Sequence, residues 1–441
     1  MNQPDTSEQL PPVALRDALA VWWRIGLMSF GGPAGQIALM HRIIVDEKRW
    51  LSEARFLHAL NYCMLLPGPE AQQLATYVGW LLHGVRGGIV AGVLFILPGA
   101  AAIMALSWLY VLLGDVSIVE GLFFGLKAAV LAIVLQAMIR IAGRALRGRL
   151  HVMLALGGFV ALFAFGLPFP LVVLGAGVIG YVMSRWFAQA RGEAAEPAVS
   201  EPVVVRAGTR RAALTCLLLW GLTVSLLFAV LGGDSVFTKI ATFFSTMAVV
   251  TFGGAYAVLT YVAQQAVEQY QWLQPGEMLD GLGLAETTPG PLILVTQFVG
   301  FLGALRQSGM DAPLLGATLG ALLTTWVTFL PCFVWIFAGA PYIEKLRQHR
   351  ALSAALAAIT ATVVGVIANL ALWFAINTLF TQTRQVTGFG LALNLPELRS
   401  MDPAMLALVG TAGVLLFVFR LPLLVVLGLS AGLGIAWWLP G

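Results

Sequence analysis

Six stretches of this chain, residues 87–114, 150–184, 212–233, 240–267, 312–343 and 351–383, contain no Asp, Glu, Lys or Arg. Each is at least as long as the roughly 20 residues an α-helix needs to cross the hydrocarbon of a bilayer. Backbone in hydrocarbon must satisfy its amides internally, so runs of this kind fold as spanning helices and as little else. Composition agrees, since 59% of the 441 residues are hydrophobic and 10% are charged. That is too little polar surface to coat a soluble globule, and lipid is the expected surrounding. The chain opens on a polar, Pro-containing tail, 1–14, with no basic region and no small-residue cleavage site, so insertion is expected to use the internal helices. The pI of about 9.1 reflects basic residues gathered at helix ends, as membrane topology requires, and no nucleic-acid partner is expected. Cys63, Cys216 and Cys332 sit in apolar segments without CxxC spacing and read as small buried hydrophobes rather than a disulfide or metal site.

The chain also repeats itself. A shift of 222 residues carries Phe30-Gly31-Gly32 to Phe252-Gly253-Gly254, Trp50 and Leu51 to Trp272 and Leu273, and Pro67-Gly68-Pro69 to Pro289-Gly290-Pro291. The shift becomes 233 further on, pairing Leu97 and Pro98 with Leu330 and Pro331, Lys127 with Thr360, and Gln136 with Asn369. Near the ends it becomes 254, pairing Leu167 and Pro168 with Leu421 and Pro422. Gly and Pro spacing preserved without gaps implies an internal duplication, with repeats at 15–188 and 234–441. Between them lie a polar linker, 189–211, and one connecting transmembrane helix, 212–233.

Loop charges give the orientation. Arg140, Arg144, Arg147 and Arg149, and the linker arginines, mark cytoplasmic loops in the first half. In the second half the bias reverses: the counterpart of the Arg140 loop has only Arg384 and Arg399, while the counterpart of the Asp115 turn carries Lys345, Arg347 and Arg350. The expected fold is therefore an all-α polytopic membrane protein built from two inverted-topology repeats, with a cytoplasmic amino terminus and a periplasmic carboxyl terminus.

The helices around the repeated turns, near 15–30, 34–45, 54–66 and 70–82, are too short for full crossings. They fit either kinked crossings or re-entrant hairpins. The loop 42–55 carries Arg42, Lys48, Arg49 and Arg55, whereas its counterpart 264–280 has Glu268, Glu277 and Asp280 and no Lys or Arg, which favours hairpins. Irregular backbone at membrane depth must line a cavity or be buried in protein. At each break a helix starts, leaving free N–H groups and a positive dipole end that suit an anion. The residues expected at a central site are Gly31, Gly32, Pro33, Pro67, Gly68 and Pro69 in the first half, and Gly253, Gly254, Pro289, Gly290 and Pro291 in the second. Packing of helices through small residues is the alternative use of such motifs.

Ionisable residues within apolar segments add to this set, because each is costly there. Lys127 and Arg24 either supply positive charge to an anion or snorkel to a surface. Glu70 and Glu286, beside the Pro-Gly-Pro turns, either carry coupling protons or cap helix starts. Gln72, Gln73 and Thr288 offer hydrogen bonds to an oxyanion or between helices.

With these motifs the chain resembles the chromate ion transporter family in its long, two-domain form. The resemblance rests on Phe30-Gly31-Gly32-Pro33-Ala34-Gly35, Trp50 and Leu51, Leu66-Pro67-Gly68-Pro69, the segment around Gly121, Leu122 and Lys127, and the copies at 251–254 and 288–291. It implies a secondary carrier in the bacterial cytoplasmic membrane that exports chromate and gives chromate resistance, with no cofactor. Sulfate has nearly the same size and charge, and the site logic does not separate the two anions. Ala255 in place of Pro33, and Thr360 in place of Lys127, speak against equal roles for the halves, and the first half is expected to carry more of the anion-binding charge. A passive anion channel and an intramembrane enzyme are the other classes, and a homodimer is left open. No HExxH or GxxxxGK[ST] motif occurs, so an enzyme is not expected.

Overall fold

A computed structural model describes residues 13–114, 116–190, 208–250, 252, 255–339, 350–388 and 391–439. The protein is an all-α polytopic membrane protein. Sixteen helices are described, in two series. The first comprises α1 (Leu15–Met28), α2 (Gly32–His41), α3 (Glu53–Cys63), α4 (Glu70–Leu113), α5 (Ser117–Ala145), α6 (Arg149–Phe163) and α7 (Phe169–Ala190). After α8 (Thr209–Leu231) come α9 (Val236–Val250), α10 (Ala255–Gln264), α11 (Glu277–Thr287), α12 (Val295–Gln307), α13 (Pro313–Gly339), α14 (Arg350–Leu379), α15 (Pro403–Gly413) and α16 (Leu423–Trp438). Among the described residues six helices, α4, α5, α7, α8, α13 and α14, are long and apolar enough to cross a membrane. Their lipid-facing surface is visible on α8, where Leu218, Leu222, Leu226 and Val230 repeat every fourth residue and all lie exposed.

α4 is a pair of arms rather than one rod. His83 and Gly84 leave helical geometry, with Gly84 at φ +64°. Beyond them the chain turns back, so that Gly79 lies against Gly87 and Ala91, and Thr76 against Gly88 and Gly92. A straight helix would separate residues 76 and 92 by roughly 24 Å. The arms are thus 70–82 and 85–113, and only the second is long enough to span. In the other series the same pair is α12 and α13, which meet at Gly300 with Thr324 and at Ala304 with Gly320.

The duplication extends to backbone conformation. Arg42–Glu47 and Gln265–Gln269 are both single π turns, and each is followed by a residue in the left-handed region, Arg49 (φ +53°) and Gln271 (φ +54°). In both, an amide reaches back six residues: Trp50 N–H to Ile44 O, and Trp272 N–H to Ala266 O, each at 2.8 Å. Gly166 (φ +60°) and Arg420 (φ +52°) repeat the device 254 residues apart, closed by Leu167 N–H to Ala161 O and Leu421 N–H to Leu415 O. The recurring Trp and Leu pairs are therefore anchors. Trp50, Leu51, Trp272 and Leu273 are all buried and pin the loop after each π turn into the core.

The two series interlock. α5 of the first packs against α15 and α16 of the second, and α14 of the second packs against α6 and α7 of the first. Small residues permit the approach, Gly121 and Gly125 meeting Ser430 and Gly434, and Gly177 and Gly180 meeting Ala358 and Ile359. Two expectations need adjustment. The connecting helix α8 begins at Thr209, ahead of 212, and linker residues 191–207 lie outside the described residues, as do Lys345 and Arg347. The loop bearing Arg384 and Arg399 holds an antiparallel hairpin, β1 (Thr383–Gly388) with β2 (Leu391–Pro396), which hydropathy alone does not reveal.

Candidate functional site

The first break separates α1 from α2. Ser29 is buried and closes α1 by donating to Ile25 O at 2.7 Å. Gly31 and Gly32 then take φ +82° and +72°, and the space where a Cβ would sit is open at both. What demands glycine here is the left-handed backbone, worth about 1–2 kcal/mol per residue, and not crowding. α2 starts with Pro33 in its first turn and no side-chain cap, so the amides at its start are not taken by side chains.

The second-half turn Pro289-Gly290-Pro291 docks onto this break. Gly290 (φ +94°) donates its N–H to Ser29 O at 2.8 Å, and its carbonyl accepts from Gln36 Nε2 at 2.6 Å. Gly99, near the middle of the long arm of α4, lies beneath the turn, where a Cβ would come within 3.2 Å of Gly290 Cα. α1 meets the same level, with Gly26 against Leu94 and Pro98. The break of one half and the turn of the other thus meet near mid-depth of a spanning helix.

The first-half turn is arranged in the same way against the opposite half. Gly68 (φ +116°) faces Cys332 of α13, and the 233 shift relates Cys332 to Gly99. Pro67 O accepts from Gln73 Nε2 at 2.6 Å, and the uncapped start of α4 follows Pro69. Gln36, Gln72 and Gln73 are all fully or nearly fully buried, and each has an Oε1 without a partner. Gln72 Nε2 donates to Thr76 Oγ1 at 3.0 Å, and the Gln73 amide also hydrogen-bonds the Cys332 side chain. Thr288 Oγ1 bonds back to Ala285 O at 3.2 Å, within its own helix end. Gly253 and Gly254 lie outside the described residues.

The ionisable residues are disposed differently from the simplest expectation. Lys127 does not offer a free charge: its Nζ is 3.3 Å from Asp280 Oδ2, which also accepts from the Tyr110 hydroxyl at 3.0 Å. Arg24 pairs with Glu47 at 3.2 Å on an exposed surface. Glu286 is 3% exposed and accepts from the Tyr256 hydroxyl at 2.5 Å, tying the end of α11 to the start of α10. Glu70 stands half-buried in the first turn of α4, where the helix dipole favours a carboxylate. Asp280 and Glu277, used above as acidic loop charges, are instead partnered, Asp280 by Lys127 and Glu277 by a two-pronged bond from Arg306 at 2.7 and 2.8 Å. Residues the sequence did not single out are Ser29, Gln36, Gly99, Tyr110, Tyr256 and Asp280. Only Asp280 carried a signal, as a carboxylate in an otherwise apolar segment.

Two α-helix starts, at 32 and 70, and the 3-10 turn Leu292–Leu294 that leads into α12 therefore adjoin the breaks with no side-chain cap, with buried amide side chains beside them. Such an arrangement presents N–H donors and positive dipole ends to a small anion. A family model described as chromate transporter matches residues 16–181 and 238–435. This chain belongs to the chromate transporter family. The two matched stretches cover α1 to α7 and α9 to α16, with α8 between them. The chain is 33% identical over 359 residues to a chromate transport protein of Pseudomonas aeruginosa, covering 81% of this chain and 80% of that one. It is 28% identical over 359 residues to a chromate transport protein of Cupriavidus metallidurans (81% and 82% covered), and 26% over 364 residues to a probable chromate transport protein of Synechococcus elongatus (81% and 84%). No solved structure matches the chain. Membership and the spanning helices make it a multi-pass membrane protein of a transporter family.

Proposed function

We propose that this chain is a secondary carrier that exports chromate across the bacterial cytoplasmic membrane and so confers chromate resistance. The supporting observation is the docking of Gly290 on Ser29, which brings the uncapped helix starts of both halves to one depth. A tetrahedral divalent oxyanion would be held by the amides after Gly31-Gly32-Pro33, Pro67-Gly68-Pro69, Gly253-Gly254 and Pro289-Gly290-Pro291, with Gln72, Gln73 and Thr288 around it. The repeats, 15–188 and 234–441, are read as inverted copies joined through the 189–211 linker and α8, with the amino terminus cytoplasmic and the carboxyl terminus periplasmic. Helix pairs such as 53–63 with 70–82 act as re-entrant hairpins whose tips carry the turns. Alternating access follows from rocking one half against the other about the shared site. Because Lys127 and Arg24 are already paired, backbone dipoles supply most of the attraction, and the buried Glu286 and half-buried Glu70 are the groups available to carry a coupling proton.

The reading is tested in everted membrane vesicles by following labelled chromate with and without a proton gradient, with sulfate as competitor. Saturable uptake that rises with the gradient supports export. Uptake indifferent to any gradient indicates a channel, preferential uptake of sulfate reassigns the substrate, and no uptake under any gradient refutes chromate transport.

A further inference from the structure

The two halves treat one equivalent seam in opposite ways. On one side α11 lies closed on α5: Gly283 faces Leu126 and Val130, and Lys127, Asp280 and Tyr110 join across it. The 222 shift takes Asp280 to His58 and Gly283 to Asn61, and the 233 shift takes Lys127 to Thr360. His58, Asn61 and Thr360 again face each other, between α3 and α14, but there they line an open cavity of about 380 Å³ together with Met64, Leu65 and Ser353. The seam is shut where Lys127 meets Asp280 and open where Thr360 and His58 stand in their places.

The surroundings of the two turns follow the same asymmetry. Met64, on the cavity wall, is 54% exposed, whereas its counterpart Glu286 is 3% exposed. Leu65 leads from that wall directly into Pro67-Gly68-Pro69, and of the three paired turn positions the last one differs, Pro69 being half-buried and Pro291 buried. The cavity lining contains hydroxyl, amide and imidazole groups and no carboxylate, as passage of an anion requires. The closed seam is also built to come apart. Asp280 Oδ1 is buried without a partner, so the pair falls short of full compensation for its desolvation.

We propose that the His58–Thr360 cavity is the open access route to the central site, and that Lys127, Asp280 and Tyr110 form the latch that shuts the pseudo-equivalent route. Transport then alternates by opening one seam as the other closes. The identity of the traveller, a small oxyanion, rests on the function proposed above; the opening and closing of the seams do not.

The test uses the full chain in proteoliposomes with its three cysteines replaced (C63S, C216S, C332A) and one reporter thiol at a time, N61C or G283C, at equivalent positions of the two seams. A Cβ at Gly283 finds its nearest neighbour at 3.4 Å, an ordinary van der Waals contact. With the latch intact, the N61C thiol reacts with a small methanethiosulfonate reagent and the G283C thiol is protected. Adding K127M and D280N together raises the G283C rate about tenfold, equivalent to ~1.4 kcal/mol of lost closed-state stability. The same pair slows N61C labelling, and the charge-reversed K127D with D280K restores protection. Tyr110→Phe, which keeps the packing, gives a rise of about fivefold for the ~1 kcal/mol of one hydrogen bond. G283C reacting as fast as N61C in the unaltered background overturns the latch. So does G283C protection unchanged by both the double neutral variant and Tyr110→Phe. Slowing of N61C labelling by chromate identifies the traveller; seams that respond as stated without any effect of chromate or sulfate leave the latch standing and refute the oxyanion assignment.

Discussion

Gly99→Ala is the substitution with the largest calculable consequence for the proposed site. In an ordinary helix this change stabilises by up to about 1 kcal/mol. Here the new methyl group falls 2.6 Å from Leu294 Cδ1, closer still to the Pro289 carbonyl oxygen, and 3.2 Å from Gly290 Cα. Restoring ordinary contact at 3.4 Å requires a retreat of 0.8 Å (3.4 − 2.6) at Leu294 and more at Pro289. The same movement stretches the 2.8 Å bond from Gly290 N–H to Ser29 O beyond hydrogen-bond range and strains the 2.6 Å bond from Gln36. Overpacking of ~1–3 kcal/mol and two weakened bonds of ~1 kcal/mol each outweigh the helix gain, for a net loss of about 2–4 kcal/mol. Chromate uptake into everted vesicles at low substrate, normalised to protein in the membrane, is expected to fall about a hundredfold, the equivalent of ~3 kcal/mol. Cys332→Ala, at the equivalent position where a Cβ is already accommodated, is expected to leave uptake within about threefold of the parent, a change below ~0.7 kcal/mol. Gly99→Ala that transports at the parent rate and melts no lower in detergent refutes the docking of the two halves as the basis of the site.

Lys127→Met leaves the buried Asp280 carboxylate uncompensated and is expected to lower unfolding stability by about 3 kcal/mol, while K127M with D280N costs less than half of that, as read by thermal unfolding of the purified protein. Tyr256→Phe removes the hydroxyl that Glu286 accepts from and is expected to destabilise by ~1–3 kcal/mol in the same assay. Arg24→Gln breaks only an exposed pair, so stability changes by less than ~1 kcal/mol and chromate uptake is unchanged; a raised KM for chromate would instead place Arg24 in contact with the anion.

The parts of the fold legible in the sequence are those written in local chemistry. Uncharged runs marked five of the six spanning helices, but the run 240–267 holds the two shorter helices α9 and α10, and α5, which carries Glu120 and Lys127, lies in no such run; Gly and Pro, whose backbone preferences are intrinsic, marked the breaks at 29–32, 66–69 and 288–291. The reversal of α4 at Gly84 was foreshadowed by the short segment ending at 82, although no Pro marks it. What remained hidden depends on which helices become neighbours. Lys127 and Asp280 lie 153 residues apart (280 − 127), and their pairing exists only because the second half's α11 crosses the first half's α5. Until that contact is known, Lys127 reads as a free cation and Asp280 as a loop charge. The Trp and Leu pairs show the converse: their spacing points to a duplication, while their role, anchoring the loop after a π turn, appears only in the backbone bonds. The hairpin at 383–396 escaped notice because two strands of six residues each are too short to mark a hydropathy profile.

The most direct measurement of the central claim is a structure of the protein with chromate bound, the chromium located by its own anomalous scattering or by electron microscopy density. A tetrahedral anion is expected at the depth of Gly99, within hydrogen-bond reach of the amides that begin α2 and the short arm of α4. Chromium found against Lys127 or Arg24, or only at the protein surface, with the space between the glycine turns empty, would contradict it.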